Sequence, residues 1–428
     1  MTKTPESIAR LIVFTVSIYA AAVFGSMAMM SIAAAWVFVV WLWVWFKSRN
    51  QQLELVSFRL WSVQPLFWPT IAIIVTGAAS LIRAQFWPEP YYEVVPEIHF
   101  LKDMAKSWHI IFIAPLAQLL MLLDAHQKKK VLKVWFVAAL VVGVLGCVQY
   151  YVPLIKPQII PQFLEIRDSL GAVGRYFGGR FHANGLSGFH LSYVSILTFP
   201  TAMAWVLWVK RRNLKWFVGC AILSAATIFS YSKMAWIALP VMVLFILNEA
   251  LQGKKKALFL AGLILVCGAA SRTDAFRLRW ASQQTWIDRI NIWEANVDMA
   301  KKFPLFGVGW HHNSDLTEKY YQAHYRHGFI SHAHNNFLDQ LSTTGLVGLA
   351  AYLWWTVVSL YILFKIYKNS NMFIFRAFGL AMLAGWCGLH LNGLTQANWW
   401  DAKVLHQISF VTAVSLALVV GASRATKS

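Results

Sequence analysis

Charge is scarce in this 428-residue chain: Asp, Glu, Lys and Arg together make up only 13% of it. Acidic residues are the scarcer sign, 18 against 38 Lys and Arg. So little charge beside 58% hydrophobic residues excludes a soluble globular domain, which could not hide that much apolar surface. Cysteine is limited to Cys147, Cys220, Cys267 and Cys387, all inside apolar runs. That excludes a disulfide framework and a thiolate metal site and leaves four small packing residues. The chain has no Walker loop, no dinucleotide fingerprint, no convincing repeat and no low-complexity linker.

What is present is a series of long apolar runs. A membrane crossing takes about 20 such residues, and about twelve runs qualify. They cover approximately 8–25, 28–46, 64–82, 108–124, 132–152, 185–209, 215–230, 234–250, 257–270, 344–364, 374–391 and 403–421. The stretch 10–47 is too long for one span, so Gly25 and Ser26 mark a hairpin; residues 215–250 fold back near Ser230–Lys233. Lys3 and Arg10 before the first run also fit a cleaved signal peptide, but the run leads into a second span rather than a polar domain. Twenty-two Trp suit interfacial belts and lipid-facing surfaces. The fold expected is all-α: one polytopic membrane domain over residues 1–428.

The formal charge of +20 is unevenly placed. Lys128–Lys130, Lys210–Arg212 and Lys254–Lys256 all follow even-numbered spans, and Lys47, Arg49, Arg59, Lys365, Lys368, Arg376, Arg424 and Lys427 fall on the same side. The positive-inside rule puts that side, with both termini, in the cytoplasm. The excess charge therefore reports topology and anionic lipid headgroups, not nucleic acid. Three long external loops result, about 83–107, 153–184 and 271–343. The last, between spans nine and ten, is a large external loop of short amphipathic helices. In it Trp286, Ile290, Trp293 and Val297 recur at i, i+4, i+7 and i+11, one apolar helical face. A helix over 284–302 lying at the outer membrane surface follows, stopped by Lys301–Pro304 and a turn at Gly307 and Gly309. A second helix is expected over 315–327.

Polar residues gather on the external side in four groups. They are Arg175 with Gly178–Asn184, Ser230–Lys233, Asp288–Arg289 with Trp293, and His332, His334, Asn335 and Asp339. Polar groups at a membrane surface are costly to desolvate, so they usually serve binding or chemistry. Arg180 and Arg289 each offer a planar fork of donors to phosphate oxygens, and Lys233 adds a compact point charge. Each cation alone has a plainer reading as an interface-snorkelling residue. Lys233 fits that reading least, since its flanks are apolar. His334 has the ordinary chemistry of a general base near neutral pH. A metal site competes, because His311, His312, His324, His327, His332 and His334 lie within 24 residues. No external thiolate or Asp-x-Asp pair supports it, so no metal is expected.

These residues resemble the superfamily of O-antigen ligases and O-antigen polymerases, which includes some pilin oligosaccharyltransferases. The resemblance covers mainly residues 175–350. It rests on the multi-span layout, the large late external loop, the Asp288-Arg289 helix ending in Pro304-Leu305-Phe306-Gly307-Val308-Gly309, and the His334-Asn335 step before Gly345 and Gly348. It implies an inner-membrane glycosyltransferase, metal-independent and inverting, that needs no cofactor. The donor implied is a glycan on undecaprenyl diphosphate; for a ligase the acceptor is a sugar of lipid A–core at the periplasmic face, all within membrane lipid. Arg289 matches the family's loop-helix arginine and His334 its loop-end histidine. Lys233 stands where the family commonly has arginine, which keeps charge but loses the fork. Arg180, Lys233 and Arg289 are thus the expected diphosphate contacts and His334, with Arg289, the expected catalytic pair. His332, Asn335, Asp339, His182 and Asn184 are expected supports. Polymerases and protein-glycosylating relatives share the donor and differ in acceptor. A lipid-linked glycan flippase is the competing class, and would carry broken helices and midplane ionisable groups. A structural or receptor protein would need no such convergence.

Overall fold

Apolar runs without water to bond their backbone have to satisfy N–H and C=O within the segment, and each expected span is helical. The computed structural model describes residues 4–50, 64–86, 99–155, 176–177, 180–273, 277, 280, 284–320 and 332–425. The helices are α1 (Glu6–Ala22), α2 (Met27–Asn50), α3 (Phe67–Phe86), α4 (Phe100–Ala105), α5 (Trp108–Ile111), α6 (Ile113–Met121), α7 (Ala125–Ile155), α8 (His190–Arg211), α9 (Leu214–Phe229), α10 (Lys233–Ala250), α11 (Gly253–Ser271), α12 (Gln284–Lys302), α13 (Asn313–Tyr320), α14 (Asn336–Asn369), α15 (Phe373–Asn392) and α16 (Ala402–Ala425). A two-residue antiparallel pair, β1 (Tyr176–Phe177) with β2 (Arg180–Phe181), interrupts the all-helical pattern before α8.

By length and composition, seven helices among the described residues could cross a membrane, fewer than the twelve or so runs read from the sequence. They are Met27–Ser48, Phe67–Phe86, Ala125–Tyr151, His190–Arg211, Asn336–Asn369, Phe373–Asn392 and Ala402–Val419. Trp108–Met121 and Leu214–Phe229 are apolar but shorter. The hairpins come where expected: α1 and α2 turn at Val23–Ser26, and α9 and α10 at Ser230–Ser232.

α8 lies at the centre, packed on α9, α10, α15 and α16, while α14 packs on α3, α15 and α16. Not all tryptophans sit at interfaces. Trp135, Trp310, Trp355, Trp386 and Trp399 are fully buried, and the rings of Trp355 and Trp399 meet edge to face at 5.0 Å. Large rigid rings fill the space between helices, a role composition alone cannot separate from an interfacial belt. Cys147, Cys220 and Cys387 are free thiols, as packing residues should be.

The expected external loop ends earlier than its sequence boundary. α14 starts at Asn336, eight residues before the expected span at 344, so Asp339 lies on a helical turn. The helix is then broken at Gly345, whose φ of 70° and ψ of −169° only glycine readily adopts. The Pro304–Gly309 segment closes the break. Val308 and Gly309 donate N–H to the carbonyls of Ser342 and Thr343 at 2.9 and 3.1 Å, and Leu346 and Val347 donate to the carbonyls of Pro304 and Leu305 at 2.7 and 3.3 Å. The two glycine motifs thus pair through backbone. A Cβ on Gly345 would stand 2.3 Å from the Leu305 carbonyl group, and one on Gly307 2.3 Å from that of Thr343. Arg83 of α3 reinforces the segment, stacking 3.4 Å from the Phe303 ring centroid and donating to the Gly307 carbonyl.

α12 runs over the expected residues but buries a different face. Ile292, Ala295, Asn296 and Met299 are inward, against α13 and α14. Ile290 (48% exposed) and Val297 (38% exposed) of the expected stripe face outward. The helix has two apolar faces, and the loop's own core takes the one the i, i+4, i+7 count did not pick. α13 begins two residues before its expected start, and residues 321–331 lie outside the described set.

Candidate functional site

His334 occupies the turn that leads into α14. Its φ of 48° is left-handed, an uncommon state for a residue with a Cβ and one that needs local support. The support is specific. The His334 N–H donates to His332 Nδ1 at 3.2 Å, and the two rings meet at 4.4 Å. Asn335 caps α14, its side-chain oxygen accepting from the N–H groups of Phe337 and Leu338, while its amide nitrogen donates to the Leu394 carbonyl. Asp339, buried one turn into α14, accepts from the Ala333 N–H at 3.3 Å and from Asn313 Nδ2 at 2.9 Å. Asn313 also donates to Asn296 of α12 at 2.9 Å. The turn, α12 and α13 are therefore held as one unit by buried amides and a carboxylate.

A third loop, which the sequence reading left out, completes the turn. Gln396, between α15 and α16, places Oε1 3.1 Å from His334 Nδ1. Burial pushes the His334 imidazole down to about 3, with the neighbouring His332 and the Arg289 charge acting in the same direction and the Gln396 hydrogen bond against them. His334 is thus neutral at pH 7, and the Arg289 guanidinium lies within its electrostatic reach.

The cations gather around Trp286. Lys233 is the first residue of α10 and is 5% exposed. Its ammonium stands 5.4 Å from the Trp286 ring centroid and 6.0 Å from that of Trp280. Arg289, one turn along α12, stands 5.7 Å from the same Trp286 ring. Trp286 is therefore a shared cation–π partner that lets two like charges occupy one small region. The expected apolar stripe had given it to the membrane surface.

His182 joins this region through the α9–α10 hairpin. Its ring stacks on Tyr231 at 5.2 Å and meets His190 at 4.7 Å, and the Tyr231 hydroxyl lies 3.1 Å from that of Tyr150. Arg180 is in β2, two residues before His182, which puts its backbone near the Lys233 hairpin; its side chain lies outside the described residues. Asn184 turns inward, its N–H donating to Gln149 at 3.2 Å. Arg175, Gly178, Gly179, His324 and His327 also lie outside the described residues.

The histidine-rich stretch divides. His312 is clamped between two carboxylates, Nδ1 2.7 Å from Asp315 and Nε2 3.0 Å from Asp103 of α4, which also pairs with Lys106 at 2.7 Å. Burial alone would lower the His312 pKa; the hydrogen bonds to Asp315 and Asp103 outweigh it and hold it above its ordinary value. Burial would likewise raise Asp103, and its bonds from Lys106 and His312 hold it low. Among the described residues no three His, Cys, Asp or Glu side chains are arranged to hold a metal ion.

Gln396, Asn313 and the charge-spacing part of Trp286 were missed in the sequence. The one signal for Gln396 was the polar run Thr395-Gln396-Ala397-Asn398 between two apolar spans. No curated protein matches this chain. Residues 218–353, which hold the Lys233 hairpin, the Arg289 helix and the His334 turn, match the family model described as O-Antigen ligase.

Proposed function

We propose that the protein is an O-antigen ligase, transferring a glycan from undecaprenyl diphosphate to a sugar hydroxyl of lipid A–core at the periplasmic face of the inner membrane. The observation that carries this reading is the convergence of Lys233 and Arg289 on Trp286, with His334 inside the Arg289 field. Two cations at one point suit a dianionic diphosphate whose charge grows as it leaves. Arg180, whose backbone in β2 lies two residues before His182, is the third cation of this reading. His334 takes the proton of the acceptor hydroxyl. The hydroxyl oxygen then bonds to the anomeric carbon from the face opposite the diphosphate, and the C–O bond to phosphate breaks with its electron pair on the departing oxygen. Configuration inverts, and no covalent enzyme intermediate, metal or cofactor is required. The proton on His334 passes to solvent or to the released diphosphate.

An imidazole with a pKa of about 3 is a weak base, and a bound donor acts against the causes that depress it. A diphosphate beside Arg289 cancels the charge that depresses His334 and adds an opposite one, which typically raises an imidazole by about 1–3 pH units. Base strength then rises only when the donor is loaded, which protects the site from idle proton transfer.

A polymerase or protein-glycosylating relative would use the same donor site. A flippase would use the α14 break to bind its cargo, but the carbonyls of Ser342 and Thr343 and the N–H groups of Leu346 and Val347, which flank Gly345, are already paired with Pro304–Gly309. The test is purified protein with lipid-linked glycan and lipid A–core and no nucleotide. Glycan joined to core supports the ligase; elongation on the lipid carrier with no core product makes it a polymerase; movement of the donor across vesicles without any new glycosidic bond makes it a flippase.

A further inference from the structure

A histidine that takes a proton through one ring nitrogen needs the other to be held as N–H. The His334 ring meets such a partner in Gln396, whose Oε1 is an acceptor 3.1 Å from Nδ1. A carbonyl oxygen there requires Nδ1 to carry the hydrogen, which leaves the lone pair on Nε2. We propose that Gln396 is a positioning residue that fixes the orientation and tautomer of His334 so that Nε2 is the proton acceptor. This rests on the reading of His334 as the base.

Gln396 is well placed to do so because its loop is rigid. The N–H of Asn336 donates to the Gly393 carbonyl at 2.7 Å, ahead of Gln396 in sequence. Beyond it, Asn398 Oδ1 accepts from Asn336 Nδ2 at 2.7 Å, and the Trp399 N–H donates to Asn336 Oδ1 at 2.9 Å. Asp401 then accepts from Ser192 of α8. Asn336 directly follows the Asn335 cap of the His334 turn, so the loop carrying Gln396 and the turn carrying His334 are bolted to each other on both sides of the contact. Among the described residues, His332 and Arg289 are the charged or titratable neighbours acting on the imidazole; His332 accepts from the His334 backbone, and Arg289 cannot accept. A neutral amide suits the position. A carboxylate there would also hold the tautomer, but it would stabilise the imidazolium and put negative charge beside an incoming diphosphate.

Two readouts test this, one independent of transfer. In histidine-15N-labelled protein in nanodiscs, with the His334 signals identified by their loss in His334→Ala, solid-state NMR at pH 7 should show Nδ1–H. Gln396→Ala should give mixed tautomers and lower kcat by roughly 10²-fold, the scale of a misoriented reacting group, with the donor KM unchanged. Gln396→Glu is nearly isosteric; it should keep Nδ1–H and move the acid limb of the pH profile to higher pH. If Gln396→Ala does not fold, the Glu variant carries the test. Nε2–H in the wild type, or an unchanged tautomer and kcat in Gln396→Ala, would overturn the assignment; so would an unmoved pH profile in Gln396→Glu. If His334→Ala transfers normally while the tautomer still depends on Gln396, the base reading fails and the positioning stands.

Discussion

Replacing Gly345 by alanine tests how the site is held. The residue sits at φ 70° and ψ −169°, a region almost restricted to glycine, where another residue costs about 1–3 kcal/mol. Space is a separate problem, because the new Cβ would stand 2.3 Å from the carbonyl carbon and oxygen of Leu305. Those are backbone atoms, so relief requires the Pro304–Gly309 segment to move. The bonds most exposed to that movement are Leu346 to Pro304 and Val347 to Leu305, each worth about 0.5–1.5 kcal/mol. Together the terms come to about 2–6 kcal/mol. The matched control is Gly262→Ala, within α11, where an added Cβ meets nothing within 4 Å; helix propensity alone favours that alanine by about 1 kcal/mol. Melting temperatures of the purified variants should separate clearly, with Gly345→Ala low and Gly262→Ala at or above wild type. Transfer should fall with Gly345→Ala, since the half-helix Asn336–Thr344 carries both the Asn335 cap and Asp339. Equal melting temperatures for the two variants would refute the idea that the paired glycine motifs hold the loop to the membrane domain.

Arg289→Ala should cut transfer by about 10²–10³, the usual cost of losing a donor aimed at developing charge, and Arg289→Lys should restore only part because the planar fork is lost; normal transfer in the alanine variant would move the diphosphate elsewhere. Stability should also depend on pH through the His312 clamp. His312 has a raised pKa, so its contribution is complete below 6.5 and is lost as pH rises through the higher folded value; Asp103 has a lowered one, so its contribution is complete above 3.8 and is lost as pH falls through the lower folded value. Thermal melts between pH 6.5 and 9 should show the wild type losing stability with rising pH and His312→Gln losing less, and parallel slopes would remove the clamp from the account.

The sequence by itself determined the helical class, the hairpins at Gly25–Ser26 and Ser230–Lys233, the helix over 284–302 and the glycine turn after it. These depend on hydrophobic run length, polar punctuation and backbone freedom, all of which are local. It also brought Arg289, Lys233 and His334 onto one list of candidate residues, because charge stranded among apolar neighbours is visible without a structure. Other matters only the tertiary structure decided. Which face of α12 is buried depended on α13 and α14, and the apolar count along one helix cannot see them. The early start of α14 and its break at Gly345 depended on a segment about 40 residues upstream donating and accepting four backbone hydrogen bonds. Five tryptophans went to the core because helix packing, not residue type, sets what an indole touches. The role of Gln396 could not be read from the polar run around it for the same reason: it lies 62 positions from His334, and only the packing of α14 against α15 and α16 brings an amide oxygen to an imidazole nitrogen.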